Sequence, residues 1–402
     1  MYKIKKHLDG SIDKYKARLV AKGYSQTPGI DVNETFASIV KHKTWRTLLA
    51  VAVELDLEVY HWDIATAFLN APLEEEVYME TPEGYNFGND VVLRLKKGLY
   101  GLQQASRQWY IDLSNTLRKL GMKKCDSDEN LFMKYNEDGT KPILAMGVWV
   151  DDMVIVCKRD STFLGKLKSG LNQKYKVEDK GLISEFLGIK VTRGKDTIKI
   201  DQSDYVTTVL KRFNMEDCKV APTPDVKGKK LSPRTNEEKK SNSAMYQSAI
   251  GCLLYVMVCT RPDISFAVCN AARYMHDPSS AHWESGKSIF RYLKGTINKG
   301  IIFRNKRTKQ VKLTIEVDAS WASNDTTNWR SDTGFVAFLN GAPITWKCIR
   351  QKTVAQSSTE AEYMGAAAAT REAIWLRKLL FDLKMLKKEP TVIYEDNRGC
   401  IA

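Results

Sequence analysis

Residues 143–157, ILAMGVWVDDMVIVC, form a β-rich apolar run broken at its centre by two adjacent carboxylates, Asp151 and Asp152. Val, Ile, Met and Trp at this density make a buried strand pair, and two like charges at its tip are costly unless something compensates them. Neighbouring carboxylates raise each other's pKa, and the usual compensation for an ionised pair is a divalent cation. The plainer alternative is a hairpin turn that happens to be Asp-Asp, since Asp is a common turn residue. Against it, Val and Met flank the pair directly, where a solvated turn would carry Gly, Asn or Ser.

The bulk properties constrain the partner. The 402 residues carry a formal net charge of +14 with 43% hydrophobic residues, enough for two or three domains with substantial cores. So basic a chain suggests a polyanionic partner, of which nucleic acid is the commonest. No apolar stretch reaches the roughly 18 uncharged residues that a membrane span needs, and the start, MYKIKKHLDG, lacks the apolar core of a signal peptide. The expectation is an intracellular protein without a membrane partner, in a cytoplasmic particle or the nucleus. The eight cysteines fall singly, with no C-x-x-C and no Cys/His cluster at zinc spacing, and read as reduced thiols. The five histidines are scattered; His61 lies two residues from Asp63 but is assigned no catalytic role.

Mixed α and β patterns run throughout. Residues 222–243 are polar, Pro-bearing and rich in Lys, and predict a solvated loop rather than a localisation signal. A weaker boundary falls near 299–310. Residues 58–69, EVYHWDIATAFL, alternate like a strand and then turn helical, which places Asp63 at a strand end. If Asp63 meets the Asp151/Asp152 pair, the result is an all-oxygen site suited to two Mg²⁺ ions and to phosphoryl transfer on nucleic acid.

An ordered series of motifs carries a family resemblance: YKARLVAKGYSQ (15–26), WDIATAFLNAPLEEEVYM (62–79), KGLYGLQQASRQWY (97–110), WVDDM (149–153), FLGIKV (186–191), TRPDISFAV (260–268), HWESGKSIFRYLKGT (282–296) and QSSTEAEY (356–363). The chain resembles the reverse transcriptase and RNase H segment of copia-type (Pseudoviridae) retrotransposon Pol polyproteins. The resemblance implies an α+β right-hand polymerase followed by a C-terminally truncated RNase H-like α/β domain. Its expected boundaries are fingers and palm at 1–200, thumb and connecting helices at 201–298, and the incomplete RNase H-like domain at 299–402.

The resemblance also implies roles. Asp63 and Asp151 would be the metal-binding polymerase carboxylates and Asp152 a supporting one. Phe68 would lie beneath the incoming sugar, where its ring excludes a 2′-hydroxyl. Lys16, Arg18 and Lys22 lie on the segment that resembles the fingers element contacting the triphosphate, where Arg grips phosphate bidentately and Lys supplies a point charge. Gln104 heads the segment that positions nucleotide and template, followed by Trp109 and Tyr110 as helix packing. Residues 201–215 resemble the first thumb helix, and the preceding FLGIKVTRGKDTIKI a hairpin at the primer grip.

In the C-terminal part, Asp318, Glu362 and Asp396 match three of the four RNase H carboxylates, again a site for two Mg²⁺. Glu360 and Glu395, beside them, read as exposed charges. The expected activity is RNA-directed DNA polymerisation with dNTPs on an RNA template and DNA primer, with cleavage of the RNA of an RNA–DNA hybrid weakened by the truncation. The alternative is a decayed or repurposed fragment that binds nucleic acid without catalysis. Trp149 stands where the family usually has Tyr and Ser106 where Pro is usual; these departures spare the carboxylates. The resemblance does not say whether the protein oligomerises.

Overall fold

The structure, a computed structural model, describes all residues except 7–11, 86, 89–90, 226–230, 309–310, 323–328 and 387. It is a mixed α/β chain in two units, one of residues 1–40 and 60–181 and the other of residues 41–59 and 182–402. The expected boundaries at 200/201 and 298/299 both fall inside the second unit.

The first unit is built on a six-stranded sheet. Its strand order is Val177–Leu182, Glu58–Ile64, Asp152–Cys157, Pro142–Trp149, Leu131–Tyr135 and Lys123–Lys124. The apolar run of the sequence is the central hairpin, with Leu144 paired to Cys157 and Trp149 to Asp152. Helices Ala105–Lys119 and Thr162–Asn172 lay Trp109, Leu113, Leu117, Leu167 and Leu171 over this sheet, against Trp62, Ile64, Met146 and Ile155. Burying side chains of this size contributes about 1.5–3 kcal/mol each, which locks the strand register behind the carboxylates.

Two further hairpins, Tyr2–Lys6 with Ile12–Ala17 and Pro72–Glu80 with Val92–Lys97, complete this unit. The motif KGLYGLQQ has a backbone explanation. A Cβ on Gly23 would stand 1.9 Å from the Gly101 carbonyl oxygen, and one on Gly101, which holds φ at +96°, would stand 2.1 Å from that of Ala21. Only glycine admits so close an approach of two loops. The Ala21 N–H donates to the Tyr100 carbonyl at 2.8 Å across the same contact.

In the second unit an antiparallel sheet is ordered Glu185–Phe186, Ile189–Arg193, Thr197–Asp201 and Ile301–Arg304, and its two middle strands form a hairpin where one was expected over 186–200. Helices Ser203–Arg212, Ser243–Cys259, Ser265–Ala272 and Ser280–Gly295 share one core around Tyr246, Ile250, Leu253 and Phe290. The TRPD motif ties these helices together through Arg261, which is 1% exposed. Its guanidinium donates to both Asp263 oxygens at 2.9 Å, to the Thr296 carbonyl at 2.9 Å and to Thr296 Oγ1 at 2.6 Å. Burial alone would raise the Asp263 carboxyl; Arg261, Tyr292 and Lys299 bring it down to about 2.

Part of the segment expected as a solvated loop is anchored. Leu231 is buried, His282 bonds the Ser232 carbonyl, and Arg234 pairs with Asp277 at 2.9 Å. An apolar side chain and an Arg with a ready carboxylate pull that stretch down; Lys227, Lys229 and Lys230 lie outside the described residues.

A second sheet in this unit is ordered Ala342–Arg350, Asp332–Leu339, Leu313–Ser320 and Val392–Tyr394. The first three strands are antiparallel, and the last runs parallel to Leu313–Ser320, with Thr314 opposite Val392. Helix Ser358–Asp382 makes the crossover between them. Its Gly365 lies against Val317, Ala319 and Thr333, and Ser357 caps it by accepting the Glu360 N–H at 3.1 Å.

Candidate functional site

Each unit brings carboxylates to strand ends. In the first, Asp63 is the penultimate residue of Glu58–Ile64, and the Ile64 N–H donates to the Asp151 carbonyl at 2.9 Å, fastening that strand end to the hairpin. The Asp-Asp pair proves to be divided between a turn and a strand. Val150 and Asp151 form the turn and Asp152 opens the return strand. Val150 holds φ at 56°, a left-handed conformation that costs a β-branched residue about 1–3 kcal/mol. Trp109 Nε1 donates to the Val150 carbonyl at 2.7 Å and holds the turn in place.

Two basic side chains that the sequence reading passed over complete this cluster. Lys180 Nζ lies 3.2 Å from Asp63 Oδ2 and 3.5 Å from Asp152 Oδ1, and His61 Nε2 lies 2.7 Å from Asp152 Oδ1. His61, assigned no catalytic role from the sequence, thus belongs to the cluster by contact: residues two apart in a strand share a face, so His61 points the way Asp63 does. Lys180 carried no signal in the sequence, because only the sheet order sets its strand beside that of Asp63.

The electrostatics separate Asp151 from Asp152. Burial raises the Asp151 carboxyl, and the charges of Asp152 and Asp63 raise it further. Burial would raise Asp152 as well, but His61 and Lys180 bring it below the usual carboxylate range. Burial would lower the Lys180 ammonium, yet Asp63 and Asp152 raise it.

The other candidates of the first unit divide. The Arg18 guanidinium lies 4.8 Å from the centre of the Tyr100 ring, and that ring meets Phe68 edge to face at 5.1 Å. Arg18 and Phe68 are thus joined through Tyr100, a residue not singled out in the sequence. Lys16 is half-buried and Lys22 exposed. Gln104 is a correction. It is fully buried, donating from Nε2 to the Asp31 carbonyl at 2.9 Å and accepting from Gln26 Nε2 at 3.0 Å. Such a side chain is a clamp between loops and has no face for a nucleotide.

In the second unit Asp318 lies on Leu313–Ser320, Glu362 on the first turns of Ser358–Asp382, and Asp396 just past Val392–Tyr394. Oxygens of all three lie within 4.8 Å of one another. The Asp63, Asp151 and Asp152 oxygens are not drawn together to that extent. Glu362 is 5% exposed and its Oε2 has no hydrogen-bond partner. Burial, then Glu395, Asp318 and Asp396, push its carboxyl up to about 7. A buried, partnerless oxygen among hard oxygen donors fits a divalent cation. Asp318 and Asp396 line a cleft of about 780 Å³ together with Phe266, Trp346 and Tyr394.

Residues 1–227 match the family described as Reverse transcriptase (RNA-dependent DNA polymerase). The chain belongs to this reverse transcriptase family. Its relatives among curated proteins include transposon proteins. It is 40% identical to the Retrovirus-related Pol polyprotein from transposon TNT 1-94 of Nicotiana tabacum, over 100% of this chain and 30% of that one. It is 38% identical to the Retrovirus-related Pol polyprotein from transposon RE1 of Arabidopsis thaliana, over 97% of this chain and 26% of that one. A shorter relative, the transposon Ty5-1 protein of Saccharomyces cerevisiae, is 32% identical over 77% of this chain and 99% of its own length. This reverse transcriptase chain therefore spans under a third of the first two polyproteins it matches. A solved structure of the foamy viral protease-reverse transcriptase in complex with RNA/DNA hybrid is similar at a TM-score of 0.46 and 14% identity, over 86% of this chain and 40% of that one.

Proposed function

We propose that this reverse transcriptase chain is an RNA-directed DNA polymerase of a copia-type retrotransposon, with an RNase H-like domain that cleaves the RNA of RNA–DNA hybrids. The observation that carries the reading is the meeting of Asp63, Asp151 and Asp152 at one end of the six-stranded sheet, inside the segment that matches the family. In this reading the first unit supplies fingers and palm, the helices of 203–295 the thumb and connector, and residues 313–402 the RNase H-like domain.

Asp63 and Asp151 would hold the cations, with Asp152 oriented by His61 as support; burial, and then the like charges of Asp152 and Asp63, raise the Asp151 carboxyl, as they do an acid that awaits a counter-charge. Bound there, two Mg²⁺ would activate the attacking 3′-hydroxyl and stabilise the leaving pyrophosphate. Lys180 meanwhile balances Asp63 and Asp152 with an ammonium. Phe68, braced by Tyr100, would exclude a 2′-hydroxyl from the incoming nucleotide, and Arg18 would meet its triphosphate. The net charge of +14 suits phosphate contacts along an RNA template and DNA primer, which hold duplex without reading sequence.

The test is primer extension. With Mg²⁺ and dNTPs the protein should extend a DNA primer on an RNA template, and Asp151→Asn should abolish extension while leaving hybrid binding within about twofold. Binding by both proteins with no extension above the Asn variant would replace the polymerase reading with that of a nucleic-acid-binding fragment.

A further inference from the structure

The three acids of the second unit arrive on separate elements, so their spacing depends on what fixes strand, helix and loop to one another. The loop is held locally. Glu395 Oε1 accepts the N–H groups of Asp396 and Asn397, both at 3.1 Å, which sets the turn that carries Asp396. With its Oε2 buried, Glu395 is not the exposed charge that was expected; Glu360, exposed and accepting the Gln356 N–H at 2.7 Å, is. Strand and helix meet through small side chains. Ala361, one residue before Glu362, is buried in a cluster with Ala355 and with Ala319, one residue after Asp318. One turn along the helix, Gly365 lies against Val317, Ala319 and Thr333. Contacts between methyl groups bring two backbones close but are non-directional, so they resist sliding poorly. A cation site tolerates little sliding, because its ligands must be held to within about 0.5 Å.

Gln351 supplies the direction. It is 6% exposed and sits just past strand Ala342–Arg350, where its own N–H donates to the Ser331 carbonyl at 2.9 Å. Its Nε2 donates to Thr333 Oγ1 at 3.0 Å and to the Ala361 carbonyl at 2.8 Å. Thr333 pairs with Ala319 across the strands. One amide thus reaches from the strand beside Asp318 to the residue before Glu362. Its Oε1 is buried without a hydrogen-bond partner, a cost that an apolar side chain of the same length would avoid. What the amide offers in return is two N–H donors, one for each element. We propose that Gln351 is a positioning residue for the cation site of Asp318, Glu362 and Asp396, fixing the separation between the strand of Asp318 and the helix of Glu362. The proposal rests on reading those three acids as a cation site and adds the residue that spaces two of them.

The experiment uses the full chain in an Asp151→Asn background, which silences the first unit's site. It follows Mn²⁺ binding by electron paramagnetic resonance, with thermal unfolding in chelator alongside. Gln351→Met keeps the length of the side chain and removes both donors. It should weaken Mn²⁺ binding about five- to tenfold at a temperature where the chain is fully folded. The unfolding midpoint in chelator should be unchanged or raised, because the partnerless Oε1 leaves with the amide. Thr333→Val removes one acceptor with little change of shape and should also weaken binding. The two substitutions together should weaken it no more than Gln351→Met alone, since both break one bridge. A lowered midpoint with unchanged Mn²⁺ binding in Gln351→Met makes the amide a pin of the fold only and overturns the proposal, as do additive losses in the double variant. If Gln351→Met does not fold, unchanged binding in Thr333→Val overturns it instead. Asp318→Asn separates the two readings: it should weaken binding by itself, and no loss there overturns the cation reading of the whole cluster rather than the role of Gln351 alone.

Discussion

The two carboxylate clusters of this chain solve the same electrostatic problem in opposite ways. Around Asp63, Asp151 and Asp152 the protein supplies a positive charge of its own, the Lys180 ammonium beside Asp63 and Asp152, and the His61 ring bonds Asp152. Around Asp318, Glu362 and Asp396 burial and then the charge of a further acid, Glu395, push Glu362 up to about 7. The first site is therefore partly offset by the protein's own ammonium, while Glu362 in the second is held up by burial and by further acids. Cation binding should displace an internal counter-ion at the first and relieve repulsion at the second, so the second should show the larger gain in stability from a divalent cation.

The sharpest way to break this comparison is to show that the two sites are not independent. Asp63→Asn should lower primer extension about a thousandfold, a loss of several kcal/mol of transition-state stabilisation, and leave cleavage of hybrid RNA unchanged. Asp318→Asn should do the converse. If either variant lowers both activities, the two clusters are not separate centres.

A smaller effect, on stability, tests the strain directly. In chelator, Glu362→Gln should stabilise the protein by about 2 kcal/mol at neutral pH, since the carboxyl's rise from 4.5 to about 7 measures what its ionisation costs the fold. The sign follows from proton counting. Between pH 4.5 and about 7 the unfolded chain has released the Glu362 proton and the folded chain still holds it, so stability falls as pH rises through that window. Asp152 acts in the other direction: its carboxyl is depressed in the fold, and its contribution is lost as pH falls below the ordinary carboxylate value of 3.8. Chemical unfolding in chelator from pH 4 to 8 should show a downward slope that Glu362→Gln removes. A flat profile in the unaltered chain would dissolve the contrast between the sites.

What the sequence could and could not disclose follows from these particulars. The apolar hairpin and the strand that carries Asp63 near its end were legible, because periodicity and a charge inside an apolar run are local signals. Gln104 was misread because a motif names a residue type without saying whether it faces solvent or its own loops. Lys180 was invisible because its partners depend on which strands are neighbours, and the outer strand of this sheet is supplied from far along the chain. Glu395 was read as an exposed charge because it falls beside the family's carboxylate position, and a motif does not say which way a side chain turns just past a strand's end. In each case the missing information was non-local or lay at an element's end, where pattern is least informative.

The smallest expected effect probes the first site. Lys180 is 44% exposed, and ion pairs so open to water contribute about 0–1 kcal/mol. Lys180→Met should therefore barely move the unfolding midpoint, while removing the only ammonium seen on Asp63 and Asp152 among their described contacts. With that competitor gone, the first site should bind Mn²⁺ several-fold more tightly, measured in an Asp318→Asn background to silence the second. The change should shrink in high salt, because screening weakens the exposed pair before it weakens a bound divalent ion. Weaker binding in Lys180→Met would mean that the ammonium helps to organise the carboxylates rather than standing in for a cation. The two clusters would then differ in architecture and not only in how their charge is met.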